Sequence, residues 1–305
     1  MRWPEVIDEE DYDLIAKDED ALGPGVRALL ADAGVAAEPV RYPTGSLPVY
    51  AAGDLALKLY PPVYLEERPV EAGVLSAVHG RLPIPTPGVH RTGDFEGWGY
   101  VLMDRMPGRP LIETWDEVDR DRLADRLGET IAALREIPPP EIDEWWPEDW
   151  AEFVEEQRAG CEMRHRALGL DDEWVAKIEP FLDSVDLGSG SPVLLHTEIM
   201  RVHLLTGASG EPTGLIDFEP AVRGSAEYEY AAVGAYVSQG DAGFLRRVLL
   251  AAGYRPADLT ADLRRRLMAW LMLHYYSNIA QYFVHLPAPP EPTFESLADT
   301  WFATD

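Results

Sequence analysis

The sequence predicts an α+β chain of two lobes, a small β-rich lobe followed by a larger helical one. Three observations predict it. Short β-type runs cluster between residues 38 and 106, long helical stripes dominate from residue 120 onward, and a second β pair at 193–217 interrupts the helices.

Taken in order, residues 7–35 read as helical. Leu22, Val26, Leu29 and Leu30 fall on one face and Gly34 supplies a stop. P-V-R-Y, P-T-G-S-L-P-V-Y and D-L-A-L-K-L-Y over 38–60 then read as strands, ended by Pro61 and Pro62. Residues 66–79 suit a helix beginning near Pro69, since proline is tolerated in a first turn. Strand-like segments follow at 88–91 and in W-G-Y-V-L-M-D-R-M, 98–106.

After Pro107-Gly108 the pattern changes period. Leu123, Leu127, Ile131 and Leu134 make one helical stripe, stopped by Pro138, Pro139 and Pro140. Residues 148–165 and 172–186 read as helices. A β-hairpin over 193–217 follows, and the apolar run 263–286 reads as one long buried helix. The expected division is a lobe at 1–103 and a lobe at 104–305, with a ligand cleft between them.

Bulk properties narrow the function. A chain of 305 residues with 46% hydrophobic and 26% charged residues is long enough for two lobes. A formal net charge of −28 argues against nucleic acid, whose phosphates it repels, and admits a cationic small molecule. No run of about 18 apolar residues is present to span a membrane. The acidic N-terminus lacks the apolar core of a secretory signal. The single cysteine, Cys161, excludes an internal disulfide, fits a reducing cytosol and reads as structural. These features make the expected location cytoplasmic, with the oligomeric state left open. Lysine occurs only at positions 17, 58 and 177, so Lys58 inside an apolar strand is informative.

Four features carry the chemistry. The turn Thr44-Gly45-Ser46 is short enough for backbone N–H groups to face a phosphate, although most such turns are plain hairpins. Lys58 stands on a strand. Glu71, thirteen residues on, is placed on the next helix to pair with it. The segment L-L-H-T-E-I-M-R-V-H-L-L, followed by L-I-D-F, then offers Glu198, His203 and Asp217.

This order resembles the kinase-like fold of the aminoglycoside and choline phosphotransferases, nearest to the hygromycin phosphotransferase branch. The resemblance spans A-L-K-L-Y, V-L-M-D-R-M-P-G, L-L-H-T-E-I-M-R-V-H-L-L, L-I-D-F and G-S-A-E-Y-E-Y-A, nearly the whole chain. It implies a bilobal protein-kinase-like fold, ATP or GTP as donor, Mg²⁺, and a small cationic acceptor such as an aminoglycoside, hence antibiotic resistance. By resemblance, Lys58 and Glu71 hold the nucleotide phosphates, and Gly45 and Ser46 lie beside them. Met103 lies against the base, although its pattern alone is that of ordinary core. Asp217 and the position of His203 hold metal, and Glu198 stands where a catalytic Asp orients the acceptor hydroxyl.

Two departures sit at the chemistry. Glu198 replaces Asp, which moves the carboxylate outward by about 1.5 Å, and a misplacement of that order can cost about 100-fold in rate. His203 replaces Asn, and imidazole is a poor ligand for hard Mg²⁺. A structural or substrate-contacting role for His203 therefore stands beside the metal one. Glu219, in D-F-E-P, brings a carboxylate where glycine is usual, and Glu229 replaces a further Asp.

His196 reads as a packed scaffold histidine, and Arg201 as a surface arginine or a phosphate contact. The aromatic and acidic stretch 141–156 reads as an amphipathic helix or as a grip for a cationic sugar. Two rivals remain open: a nucleotide- or ligand-binding pseudokinase without turnover, and other chemistry on a transition metal held by Glu198, His203 and Asp217.

Overall fold

The computed structural model describes residues 3–143 and 145–305. Met1, Arg2 and Glu144 lie outside them, so the N-terminal reading and the 141–156 stretch are described without those residues.

Two helices open the chain, α1 (Glu9–Ile15) and α2 (Glu19–Asp32), where the sequence predicts one. Asp8 and Asp18 each accept from backbone N–H groups of the following turn, so each acid starts its own helix. Five strands follow: β1 (Val40–Arg41), β2 (Val49–Ala52), β3 (Leu55–Tyr60), β4 (Val89–Phe95) and β5 (Trp98–Asp104). They form one antiparallel sheet in the order β1-β2-β3-β5-β4. Helix α3 (Glu67–Val78) lies between β3 and β4 in sequence and packs on β4 and β5. Both faces of β3 are covered, and Lys58 is buried there with Leu57 and Leu59.

The C-terminal part is mainly helical, with the fold class the sequence predicts. Short strand β6 (Arg109–Pro110) and helix α4 (Leu111–Thr114) lead into α5 (Arg120–Arg135), whose predicted stripe of Leu123, Leu127, Ile131 and Leu134 is buried. Gly128 lets α5 meet a later helix closely, since a Cβ there would lie 2.3 Å from the carbonyl oxygen of Val248. After α6 (Trp150–Ala167), the helix predicted over 172–186 is two short pieces, α7 (Asp172–Val175) and α8 (Ile178–Asp183). Pro180 fits the first turn of α8 but lacks the N–H needed to continue α7.

The hairpin predicted over 193–217 is corrected. Strand β7 (Val193–Leu195) does not pair with β8 (Leu204–Thr206). It pairs antiparallel with β10 (Val222–Gly224), while β8 pairs with β9 (Pro212–Leu215) and with β6. The polar segment 196–203 therefore connects two small sheets instead of closing one hairpin. Beyond it lie α9 (Tyr228–Ala232), a π-helical stretch (Val233–Ser238), α10 (Ala242–Ala251), α11 (Ala261–Leu273), α12 (Ile279–His285) and α13 (Phe294–Trp301). The predicted long helix over 263–286 breaks at His274, and Asn278 caps α12 by accepting from the N–H of Gln281 at 3.0 Å. Among the described residues, no helix is long and apolar enough to cross a membrane.

Candidate active site

Lys58 is the centre of the site. Its ammonium lies 3.1 Å from Oε2 of Glu71 and 2.6 Å from Oδ1 of Asp217, and it contacts the carboxylate of Glu219. Lys58 and Asp217 are 159 positions apart in sequence, so this meeting is made by the fold. Burial alone would depress the lysine, but the charges of Asp217 and Glu71 outweigh it and hold the ammonium above its ordinary range. Asp217 behaves in the mirror sense. Burial would raise it, but Lys58 and the His203 hydrogen bond keep it ionised, well below the usual carboxylate range.

Glu71 joins the two parts of the chain. One oxygen takes the Tyr60 hydroxyl and faces Lys58, and the other accepts the N–H of Phe218 at 3.2 Å. Glu67, one helical turn earlier, is pushed up to about 7, mainly by burial.

The loop carrying Glu198 is fixed through its backbone. Glu229, buried on α9, accepts the N–H groups of His196 and Thr197 at 2.6 and 3.1 Å. Burial pushes Glu229 up to about 7 against the pull of those amides. Thr197 adopts φ 69° and Asp217 φ 75°, left-handed conformations that are uncommon outside glycine. For the β-branched Thr197 the cost is about 1–3 kcal/mol, and every polar group it has is held. Its N–H goes to Glu229, its hydroxyl donates to Pro220 O at 2.9 Å, and its carbonyl accepts from His274 at 3.1 Å.

Hydrogen-bond partners assign the histidines. His196 Nε2 faces the carbonyl of Ile216 at 3.0 Å and Nδ1 faces the N–H of Glu198 at 3.3 Å, which one neutral tautomer satisfies. His274 repeats this, with Nε2 on Thr197 O and Nδ1 on the N–H of Tyr276. Burial pushes both down to about 4. His203 differs. Nδ1 faces the carbonyl of Glu198 at 2.8 Å and Nε2 faces Oδ2 of Asp217 at 3.0 Å. Both partners are acceptors, so both ring nitrogens carry protons only in the imidazolium. Burial opposes that charge, yet Asp217 raises His203 above its ordinary value.

One atom each from Glu198, His203 and Asp217 lies within 4.8 Å of the others, and so does one each from Glu71, Asp217 and Glu219. The second set is all oxygen and already surrounds a cation, the chemistry a hard divalent ion requires. The first set depends on an imidazole whose two nitrogens are engaged by protein. Burial raises the Glu198 carboxyl, which favours proton acceptance.

The other predicted positions are more dispersed. Gly45 and Ser46 are exposed in the β1–β2 connection, with the Ser46 carbonyl accepting from Tyr12 at 2.5 Å. Val49 pairs with Lys58, so that connection emerges beside the lysine. Met103 is buried in β5 opposite Ala56. Arg201 turns inward, donates twice to Val237 O and stacks over Trp115 at 3.5 Å, which makes it an anchor of the loop and no surface residue. Sequence reasoning did not find Tyr60 or His274. Tyr60 stands two residues from Lys58, on the same face of the strand, and that spacing was the available signal; His274 was hidden inside an apolar run.

The model of the phosphotransferase enzyme family matches residues 46–270, well over half of the chain, and these include Lys58, Glu71, Glu198, His203, Asp217 and Glu219. The chain belongs to that family. It is accordingly an enzyme of small-molecule phosphotransfer. Solved structures share its fold throughout. A ternary complex of a thermostable mutant of aminoglycoside phosphotransferase APH(4)-Ia with AMP-PNP and hygromycin B is 17% identical over 90% of this chain and 95% of that one, with TM-score 0.59. ADP-bound APH(2'')-Ib is 14% identical over 91% and 98%, with TM-score 0.60. The apoenzyme of macrolide 2'-phosphotransferase MphH from Brachybacterium faecium is 18% identical over 88% and 99%, with TM-score 0.61. No curated protein matches the chain by sequence.

Proposed function

We propose that this enzyme transfers the γ-phosphate of ATP or GTP to a hydroxyl of a small cationic molecule, an aminoglycoside or related antibiotic, the hygromycin branch included. The observation that carries this reading is the meeting of Lys58 from the sheet with Asp217 from the loop after β9. The family places phosphotransfer on such a fold, and relatives of that fold have been solved with ADP, AMP-PNP and hygromycin B. The reading divides the chain into lobes at 1–103 and 104–305, with Gly45 and Ser46 on the phosphate side and Met103 near the base. Its setting is cytoplasmic.

Lys58, steadied by Glu71, orients the phosphates and neutralises charge on the departing diphosphate. Asp217, with Glu219 beside it, would hold Mg²⁺, which when bound neutralises phosphate oxygens. Glu198 accepts the hydrogen bond of the acceptor hydroxyl. The hydroxyl oxygen bonds to the γ-phosphorus as the bridging P–O bond breaks, and the proton passes to Glu198. His203, bridging Glu198 and Asp217, is a positioning cation and takes no part as metal ligand in this scheme, which departs from the expectation for that position.

The test is turnover of ATP and GTP with a panel of aminoglycoside and nucleoside acceptors. Glu198→Gln is expected to lower kcat by about 100-fold or more with little change in KM, because alignment carries the catalysis. Asp217→Asn is expected to abolish turnover. Full activity in Asp217→Asn would defeat the metal assignment.

A further inference from the structure

Among the described residues, four aromatic side chains are exposed, Tyr42, Trp146, Tyr275 and Tyr276. Three of them form one chain of contacts. Trp146 meets Tyr275 at 4.7 Å between ring centroids, and Tyr275 meets Tyr276 at 4.8 Å. Their exposures are 53%, 45% and 53%. Rings of this kind bury about 150–250 Å² when covered. Half-exposed, the three together offer on the order of 300 Å², the scale at which an apolar patch on a monomer is often functional.

The patch is fixed and not a fray. Trp146 packs edge-on against buried Phe153 of α6 at 5.4 Å. The N–H of Tyr275 donates to the Tyr228 hydroxyl at 3.0 Å, and the Tyr228 ring stacks on His274 at 4.8 Å. The N–H of Tyr276 goes to His274 Nδ1, and His274 Nε2 donates to Thr197 O, the residue before Glu198. Two hydrogen bonds thus tie the aromatic segment to the reacting loop. Burial, and after it the charges of Glu198, Glu67 and Asp217, from α3 and from both segments of the site, push the Tyr276 phenol up.

We propose that Trp146, Tyr275 and Tyr276 form an acceptor subsite beside Glu198 that takes a cationic amine carrying a broad apolar or unsaturated ring face. The rings cover that face and the carboxylates meet the amine. This narrows the acceptor class and rests on the phosphotransfer reading. The sequence leaves the 141–156 stretch open between an amphipathic helix and a grip for a cationic sugar. Of its three tryptophans, however, Trp145 is buried under Arg223 and Trp150 packs against Tyr228, which leaves Trp146 for a ligand.

The test is calorimetric binding without nucleotide, run beside phosphotransfer with ATP and GTP. The probes are puromycin and erythromycin as ring-bearing amines, and kanamycin and hygromycin B as polar cations. Wild type is expected to bind a ring-bearing amine at least tenfold more tightly than the polar cations. Tyr276→Ala and the Trp146→Ala, Tyr275→Ala double variant are expected to weaken that binding at least tenfold, with less than a twofold change for kanamycin. Tyr276→Phe should retain it, and serves if an alanine variant fails to fold. Failure of both ring-bearing amines to bind wild type, or binding unchanged in the variants, would overturn the subsite. Ring-dependent binding without transfer to any acceptor would support the subsite and strike the catalytic reading alone.

Discussion

The carboxylate of Glu219 rests on the ammonium of Lys58, the group proposed above to orient nucleotide phosphates. Lys58 therefore has three carboxylate neighbours, Glu71, Asp217 and Glu219, and Glu71 is the one of the three that is fully buried. Glu71 holds the lysine from behind, with its second oxygen on Phe218 N–H. Glu219 lies largely buried against the same ammonium, so in the proposed reading it competes with phosphate for that cation.

Removing that competitor should strengthen phosphate binding where no metal is present to use it. Glu219→Gly is expected to tighten ADP about tenfold in chelator, a change of about 1.4 kcal/mol, measured by calorimetry. With excess Mg²⁺ the gain should shrink or reverse, because the oxygen pair Asp217 and Glu219 is broken. Unchanged affinity in chelator would mean that Glu219 does not guard Lys58.

Lys58 itself has a structural burden. Lys58→Met leaves buried Glu71 facing Asp217 and Glu219 with no cation between them, and breaking a buried pair from one side costs about 3–5 kcal/mol. Adding Glu71→Gln should recover part of that loss, since the glutamine carbonyl oxygen can still accept the Phe218 N–H while its amide N–H donates to the Tyr60 hydroxyl oxygen. It should not restore nucleotide affinity. Chemical denaturation and nucleotide titration of both variants separate the two effects.

His203 places an imidazolium where the family pattern has a neutral amide. His203→Asn is expected to remove positive charge next to Asp217 and so to tighten Mn²⁺ in the presence of nucleotide by about tenfold, read by electron paramagnetic resonance. Weaker Mn²⁺ binding than wild type would return His203 to the role of ligand.

The sequence made the Lys58–Glu71 pair legible because thirteen residues of strand, turn and helix fix their separation locally. Asp217 was legible because an apolar run ending in Asp-Phe is recognisable by itself. What could not be read was pairing between distant short strands. Val193–Leu195 and Leu204–Thr206 look like two arms of one hairpin, and only tertiary packing assigns the first to Val222–Gly224. Helix breaks were also hidden. His274 sits in a run with no proline or glycine, yet its bond to Thr197 goes with the end of α11 and with the turning out of Tyr275 and Tyr276. Glu219 shows the same limit, because its departure from glycine was visible while its contact with Lys58 was not.

Buried histidines make the stability of this protein depend on pH. His165 is buried on α6; its Nε2 donates to Met272 O at 3.1 Å, and no described protein group pairs with Nδ1. Protonating Nδ1 would bury an unpaired charged donor, and burial accordingly pushes His165 down to about 4. The unfolded chain takes up that proton near the ordinary value of about 6.5. Between these values the unfolded state holds more protons than the folded one, so stability rises with pH across the window and is lost as pH falls from about 6.5 towards about 4. His274, also at about 4, acts in the same direction. Glu229, pushed up to about 7, acts in the opposite direction, because its folded form holds a proton that the unfolded form releases. The whole-protein slope mixes these groups, so the informative quantity is a difference between variants. His165→Gln keeps a donor for Met272 O and cannot protonate. Its stability is expected to vary less steeply around pH 5.5, by up to about 1.4 kcal/mol per pH unit, the contribution of one proton. Urea denaturation at half-unit intervals from pH 4.5 to 7 measures it, and parallel profiles for the two proteins would show that His165 is protonated in the folded state.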